Sequence, residues 1–198
     1  AGIEGGDLFK STDKGLSWTA STEGLPVATP TAVRIAPSDC STIYFVANGS
    51  LYKTTDGGTS WTDVYSVSGN IYEIEVHPTI PNTLLICGSA GVSKSTDGGN
   101  AFTSIYSETC WDVKYHPTNS STVYLLKTNS SANKCEFFKS VDGGDSFAIQ
   151  TNGWYSPAVV GQAEDIGAKL GLSAAAADQI YVALLGASKA DDNGWISV

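Results

Sequence analysis

Four aspartates, Asp13, Asp56, Asp97 and Asp142, recur at separations of 43, 41 and 45 residues. Paired carboxylates carry out glycosidic hydrolysis, one as acid and one as base or nucleophile, so this series is the first place to look for chemistry. Each of the four, however, sits in the same octapeptide. The copies are Ser11-Thr-Asp13-Lys-Gly15-Leu-Ser17-Trp18, Thr54-Thr-Asp56-Gly-Gly58-Thr-Ser60-Trp61, Ser95-Thr-Asp97-Gly-Gly99-Asn-Ala101-Phe102 and Ser140-Val-Asp142-Gly-Gly144-Asp-Ser146-Phe147. A residue repeated in every unit serves the unit, so these aspartates read as structural. The two histidines, His77 and His116, share one repeat position before a proline. None is then left for a Ser-His-Asp triad or a zinc site. Cys40, Cys87, Cys110 and Cys135 form no Cys-x-x-Cys pair, which argues against a zinc or dithiol motif. Asp191, Asp192 and Asn193 cluster without the spaced pattern of a calcium loop and read as a solvated turn. No catalytic set, metal or cofactor is expected.

The elements that position these residues follow from the repeat, which is sought first. Within the octapeptide, Asp and Ser/Thr side chains hydrogen-bond backbone in a turn. Glycine at the fifth position supplies a positive φ that other residues resist. The terminal Trp or Phe opens a strand and packs on the unit. Lys10, Lys53, Lys94 and Lys139 precede the four copies. Upstream lies a second signature, an alternating apolar run, then a Pro turn, then a β-rich run. Val33–Pro37 precedes Thr42–Val46, Ile74–Pro78 precedes Thr83–Ile86, and Val113–Pro117 precedes Thr122–Leu126. A weaker copy runs from Ala168–Ser173 to Gln179–Leu184. Each unit is therefore four short strands, a to d, with the octapeptide as the c–d turn. No segment sustains a helical period beyond the short Ala174–Ala177 stretch. A period near 40–45 residues with four strands is the signature of a propeller blade. The fold class is thus all-β, a propeller of four-stranded antiparallel blades. Residues 1–198 form one partial domain. Half a blade lies at 1–20, full blades at 28–66, 70–107 and 109–150, and half a blade at 165–198.

The pattern Ser/Thr-x-Asp-x-Gly-x-Ser/Thr-Trp/Phe resembles the Asp-box, or bacterial neuraminidase repeat. The resemblance makes Asp13, Gly15, Trp18, Asp56, Gly58, Trp61, Asp97, Gly99, Phe102, Asp142, Gly144 and Phe147 structural turn residues. It also points to several activities. Sialidases carry such boxes, but their site needs three arginines and a Tyr nucleophile, and Arg34 is the only arginine here. Family 74 glycoside hydrolases resemble the chain in dense, regular boxes and Pro turns, and use two aspartates in a cleft between two propellers. Sortilin-type receptors use a many-bladed Asp-box propeller to bind peptides. Many bacterial secreted and surface proteins carry similar repeats.

Charge excludes further classes. Asp plus Glu number 20 against 11 Lys plus Arg, a net charge of −9, and phosphate binding needs concentrated positive charge. Nucleic acid is therefore not an expected partner. No apolar run approaches the ~20 residues of a membrane span. The four Cys and the Asn-x-Ser sites at Asn48, Asn119 and Asn129 suit an extracellular, periplasmic or cell-surface setting. Met is absent, even at position 1, as in a processed secreted protein or a fragment.

In a blade of this order, the octapeptide turns lie opposite the d–a and b–c loops, where propeller ligands usually bind. Two loops on that ligand face are long, Lys127–Cys135 and Gln150–Gly167. The second holds Trp154, Tyr155, Glu164 and Asp165, and Trp111 and Asp112 begin a strand beside it. Aromatics next to carboxylates can stack on sugar rings and bond their hydroxyls. Trp111, Asp112, Trp154, Tyr155 and Asp165 are the candidate ligand-binding residues, with packing between blades as the competing role for Trp111 and Trp154. Three full cysteine pairings are open. Cys110–Cys135 is preferred, because both fall on one face of one blade. The leading functional expectation is a secreted or surface-displayed binding and scaffold module for protein or glycan. The alternatives are a fragment of an extracellular glycoside hydrolase and a structural component completed by another chain or missing segment.

Overall fold

The computed structural model of the chain describes residues 8–27, 30–67, 69–131, 134–152 and 167–185. The described residues are all-β apart from one 3-10 turn, Ala174–Ala176, capped by Ser173. Strands β1 (Phe9–Lys10) and β2 (Thr19–Ala20) form a hairpin around the first octapeptide. Three four-stranded antiparallel sheets follow, each in sequential order. The first holds β3 (Pro30–Ala36), β4 (Asp39–Ala47), β5 (Ser50–Thr54) and β6 (Thr62–Ser66). The second holds β7 (Ile71–Val76), β8 (Leu84–Gly88), β9 (Gly91–Ser95) and β10 (Thr103–Tyr106). The third holds β11 (Cys110–His116), β12 (Asn119–Asn129), β13 (Lys134–Ser140) and β14 (Ala148–Ile149). A last pair, β15 (Gly167–Leu172) and β16 (Ile180–Leu185), carries the a and b strands alone. This is a partial propeller of three full blades and two half blades.

The apolar run of each b strand explains the stacking. Successive side chains point to opposite faces of a strand. In β8, Leu84 and Ile86 enter a core shared with Tyr44, Val46 and Leu51 of the first sheet. Leu85 and Cys87 enter a core shared with Val113, Val123 and Leu125 of the third. Strand β12 repeats the division: Val123 and Leu125 face the second sheet, while Tyr124 and Leu126 face Ala168 and Leu170. Phe45, Tyr52 and Trp61 close the series against Leu8. A strand buried on both faces needs a continuous apolar run. Each core lies between two sheets and includes no third.

The octapeptide turns have one hydrogen-bond plan. The first hydroxyl donates to the Asp carboxylate (2.6–2.8 Å) and accepts the fifth-position N–H (2.8–3.1 Å). The Asp accepts the seventh N–H at 2.9–3.0 Å. Ser17, Ser60 and Ser146 add their hydroxyls at 2.5–2.7 Å. Gly15, Gly58, Gly99 and Gly144 take φ of +88°, +89°, +93° and +88°. Each full sheet also ties this turn to its own a–b turn, through Gly57 N–H to Ser41 O, Gly98 to Asn82 and Gly143 to Ser121. The histidines complete the a–b turns: His77 Nδ1 accepts the N–H groups of Thr79 and Ile80, and His116 Nδ1 that of Thr118.

The repeated lysine reaches forward to the following unit. Lys10 donates to Gly57 O at 2.8 Å, and Lys94 donates to Gly143 O at 2.9 Å and to Asp145 at 2.7 Å. Lys53 instead meets the side chain of Asn82 at 2.8 Å. One sequence expectation is corrected here. Trp18 does not pack on a unit as Trp61 does: it is 52% exposed, against 5% for Trp61, because no described sheet precedes its hairpin.

Candidate functional site at the mouth of the inner strands

The a strands β3, β7, β11 and β15 pack side by side in chain order. Three of them begin with a β-bulge. Pro30 pairs with Ala47 and Ala32 with Val46, leaving Thr31 as the extra residue. The same count leaves Tyr72 extra between Ile71 and Glu73, and Trp111 extra between Cys110 and Asp112. A bulge twists the strand and re-aims the inserted side chain. Thr31, Tyr72 and Trp111 occupy one repeat position, and all three line a single cavity of about 330 Å³. Ile71, Gly167, Ala168 and Lys169 complete its wall. That volume is at the low end of the ligand-pocket range. The cavity opens where the a strands start, at the end of the sheets opposite the octapeptide turns.

Two aromatics form its side. The rings of Tyr72 and Trp111 stack 5.3 Å apart with only 4° between planes. Trp111 Nε1 donates to Thr128 Oγ1 at 2.8 Å, which fixes the indole and keeps its polar edge paired. Trp111 is half-buried, so part of its ring remains available to a ligand.

Beneath the mouth lies a column of charge contributed by all four strands. Glu73 accepts from Arg34 of β3, and Lys114 and Lys169 stand 3.4 and 3.1 Å away. Lys114 also lies 3.5 Å from Glu75 and 3.7 Å from Asp112. Glu75 accepts the Tyr115 N–H at 3.1 Å. Charges withdrawn from water must be paired and hydrogen-bonded, and here three cations meet three carboxylates. Burial pushes the carboxyls of Glu75 and Asp112 above their usual range, despite Lys114 and a backbone N–H at each. Burial opposes the charge on Lys169, yet Asp112 and Glu73 together hold its ammonium above the usual lysine value.

Asp112 was expected at the ligand surface. The structure buries it completely. Its Oδ1 accepts the Val113 N–H at 2.9 Å and its Oδ2 accepts the Leu170 N–H at 2.8 Å, joining β11 to β15. Trp154, Tyr155 and Asp165 lie outside the described residues. The Cys110–Cys135 pairing is also corrected. Cys40, Cys87 and Cys110 are free thiols. Cys110 points into the core between the second and third sheets, and Cys135 into the core toward β15. The alternation of side chains on β11 and β13 sends them to opposite faces of their sheet. Among the described residues, no group of three or more His, Cys, Asp or Glu is placed to hold a metal, and no helix is long and apolar enough to cross a membrane.

Sequence reasoning found Trp111 but missed Tyr72 and Thr31, and with them the ionic column. The signal was present. Tyr72 and Trp111 both stand five residues before the turn histidine, and Thr31 stands five before the matching Ala36. Arg34, Glu75, Lys114 and Lys169 each sit between two apolar residues of an a strand.

Antiparallel four-stranded sheets stacked through successive cores, with a strands innermost, define a β-propeller. Known structures agree on the fold. An ancestral GH74 enzyme superposes with a TM-score of 0.67 at 17% identity, covering 78% of this chain and 22% of that one. The GH74 xyloglucanase from Xanthomonas campestris gives 0.61 at 15% identity, covering 75% and 27%. A chain of the nidogen/laminin complex gives 0.51 at 12% identity, covering 67% and 51%. The chain therefore spans about a quarter of either GH74 enzyme. No family model matches the sequence, and no curated protein matches it.

Proposed function

We propose that this chain is the ligand-bearing part of an Asp-box propeller, a secreted or surface-displayed binding module for a protein or glycan. The observation that carries this reading is the cavity walled by the stacked Tyr72–Trp111 pair, with three bulges turning equivalent residues into it. An aromatic face takes the apolar face of a sugar ring or a peptide side chain. Lys169 and Thr31 offer polar contacts at the rim. Asp112, the carboxylate that follows Trp111, is occupied by backbone on both oxygens, and Glu73, which follows Tyr72, is taken up by Arg34 and Lys169; neither is free for acid–base work, which supports binding over hydrolysis. The hairpin β1–β2 supplies c and d strands and the pair β15–β16 supplies a and b. We read each as completed by a further segment or another chain.

The test is calorimetric titration with xyloglucan oligosaccharides, beside selection from a displayed peptide library. The expected result is a ligand from one of the two sources whose affinity falls about tenfold, or roughly 1.4 kcal/mol, in Trp111→Ala and Tyr72→Ala. Asp97→Ala, on the opposite face, should leave affinity unchanged. Binding lost through the octapeptide turns but indifferent to Trp111 overturns the site. Release of reducing sugar from xyloglucan, abolished by Asp112→Asn, overturns the binding-module reading in favour of a hydrolase.

A further inference from the structure

Cys87 and Cys110 are the only cysteines that share a core, and both are essentially inaccessible to solvent. Cys87 is on β8 of the second sheet and Cys110 opens β11 of the third, two strands packed directly on each other. Both side chains belong to that one core. The Cys110 thiol donates to Asp112 O at 3.8 Å. Their places in the register are matched. Cys87 pairs with Glu73, the residue closing the Tyr72 bulge, and Cys110 is the residue opening the Trp111 bulge. The pair therefore sits between two sheets and directly beneath the two aromatics of the mouth.

We propose that Cys87 and Cys110 are a dithiol that oxidises to a disulfide, fastening the second sheet to the third beneath the mouth. The step is thiol–disulfide exchange with a small or protein disulfide as oxidant. One thiolate attacks the incoming disulfide, forming a mixed disulfide and expelling one thiol. The second thiolate then attacks the protein sulfur of that mixed disulfide, forming the Cys87–Cys110 bond and expelling the second thiol. Two protons leave the protein thiols, two electrons pass to the oxidant, and its disulfide ends as two thiols. Burial keeps both protein thiols protonated and out of reach in the folded state, so exchange takes place while the chain folds, before the sheets close. The bond shuts a loop of about 24 residues, a size at which a crosslink removes substantial freedom from the unfolded chain. It also fixes the start of β11, and with it the bulge that aims Trp111. Cys40, exposed near the start of β4, and Cys135, in another core, are outside the pair.

The experiment refolds the chain from urea with oxidised glutathione, alkylates remaining thiols under denaturing conditions and maps peptides by mass. Expected is a loss of about 2 Da from the peptides joined through Cys87 and Cys110, with Cys135 alkylated. The urea midpoint should be higher without reductant than with it, and Cys87→Ser should abolish that difference. The same mapping on the unmutated chain keeps the test valid if the variant fails to fold. Alkylation of both Cys87 and Cys110 after oxidative refolding, or a bridge from Cys110 to Cys135, overturns the proposal. Rapid oxidation of the already folded protein would overturn the assignment of the step to folding.

Discussion

The turn at Asp13 and the turn at Asp56 differ at the patterned positions only in Ser11 against Thr54, and they share one plan of internal hydrogen bonds. Their surroundings differ. Trp61 lies edge-on to Phe45 at 5.9 Å and donates its indole N–H to Ser21 at 3.3 Å, whereas Trp18 is half in water. The comparison separates two properties that the motif confounds. The hydrogen-bond plan is local and closes wherever the octapeptide occurs. Burial of the aromatic is a property of the junction, and needs a neighbouring unit to supply the other wall.

The largest expected contrast is between the two tryptophans. Trp61→Ala should cost about 3–5 kcal/mol, the range for emptying a large aromatic site, while Trp18→Ala should cost about 0.5 kcal/mol or less, as at an exposed position. Urea unfolding of both variants checks this, and equal losses would mean that the first turn is buried in solution. Next come the fifth-position glycines. Alanine at Gly15 meets only the rim of Trp18 at 3.8 Å, so it should cost the left-handed backbone penalty of about 1–2 kcal/mol. Alanine at Gly58 would set its methyl 2.6 Å from Ser21 Oγ, adding about 1–3 kcal/mol of overpacking. Thermal unfolding should rank Gly58→Ala well below Gly15→Ala, and the reverse order would place the strain inside the turn.

The smallest effect concerns acid. Hydrogen bonds from Ser17 and Ser11 hold the Asp13 carboxyl down at about 2, and those from Ser60 and Thr54 hold Asp56 lower still. Asp142 is lowered by Ser140 and Ser146. A carboxyl lowered on folding stabilises fully above its unfolded value near 3.8 and loses that contribution as pH falls through the folded value. Stability should therefore fall between about pH 4 and pH 2. Asp97 is lowered chiefly by the Ala101 N–H, with no hydroxyl at the seventh position. Ala101→Ser should shift the acid transition to lower pH, and circular dichroism across pH 5–1.5 reads it. An unchanged transition would mean that the seventh hydroxyl adds nothing to the backbone bonds.

The same division explains what was legible before the structure. The octapeptide, the Pro turns and the two-faced b strands are local patterns, and they placed the three full blades and two half blades. The cavity was only half legible. Trp111 is conspicuous by type, whereas Tyr72 and Thr31 emerge only once the bulges show that they occupy the same position. Asp112 looked like chemistry because carboxylates usually face water. It faces Leu170, 58 residues away, a contact no short-range pattern reports. The cysteines misled for a related reason: Cys110 and Cys135 share a sheet but point to opposite faces.

The forward reach of the lysines has a consequence for how such chains change length. Lys10 and Lys94 each give an ammonium to the turn of the next unit. At these two junctions one unit supplies the plug and the next the socket, with the same polarity. A duplication or loss of a whole unit rejoins plug to socket without redesign of either. Insertions that break the 41–45-residue measure separate the two and leave a junction unmatched. Lengthening by whole units is therefore the cheap direction of growth, and the Lys53–Asn82 junction shows the latitude a socket tolerates.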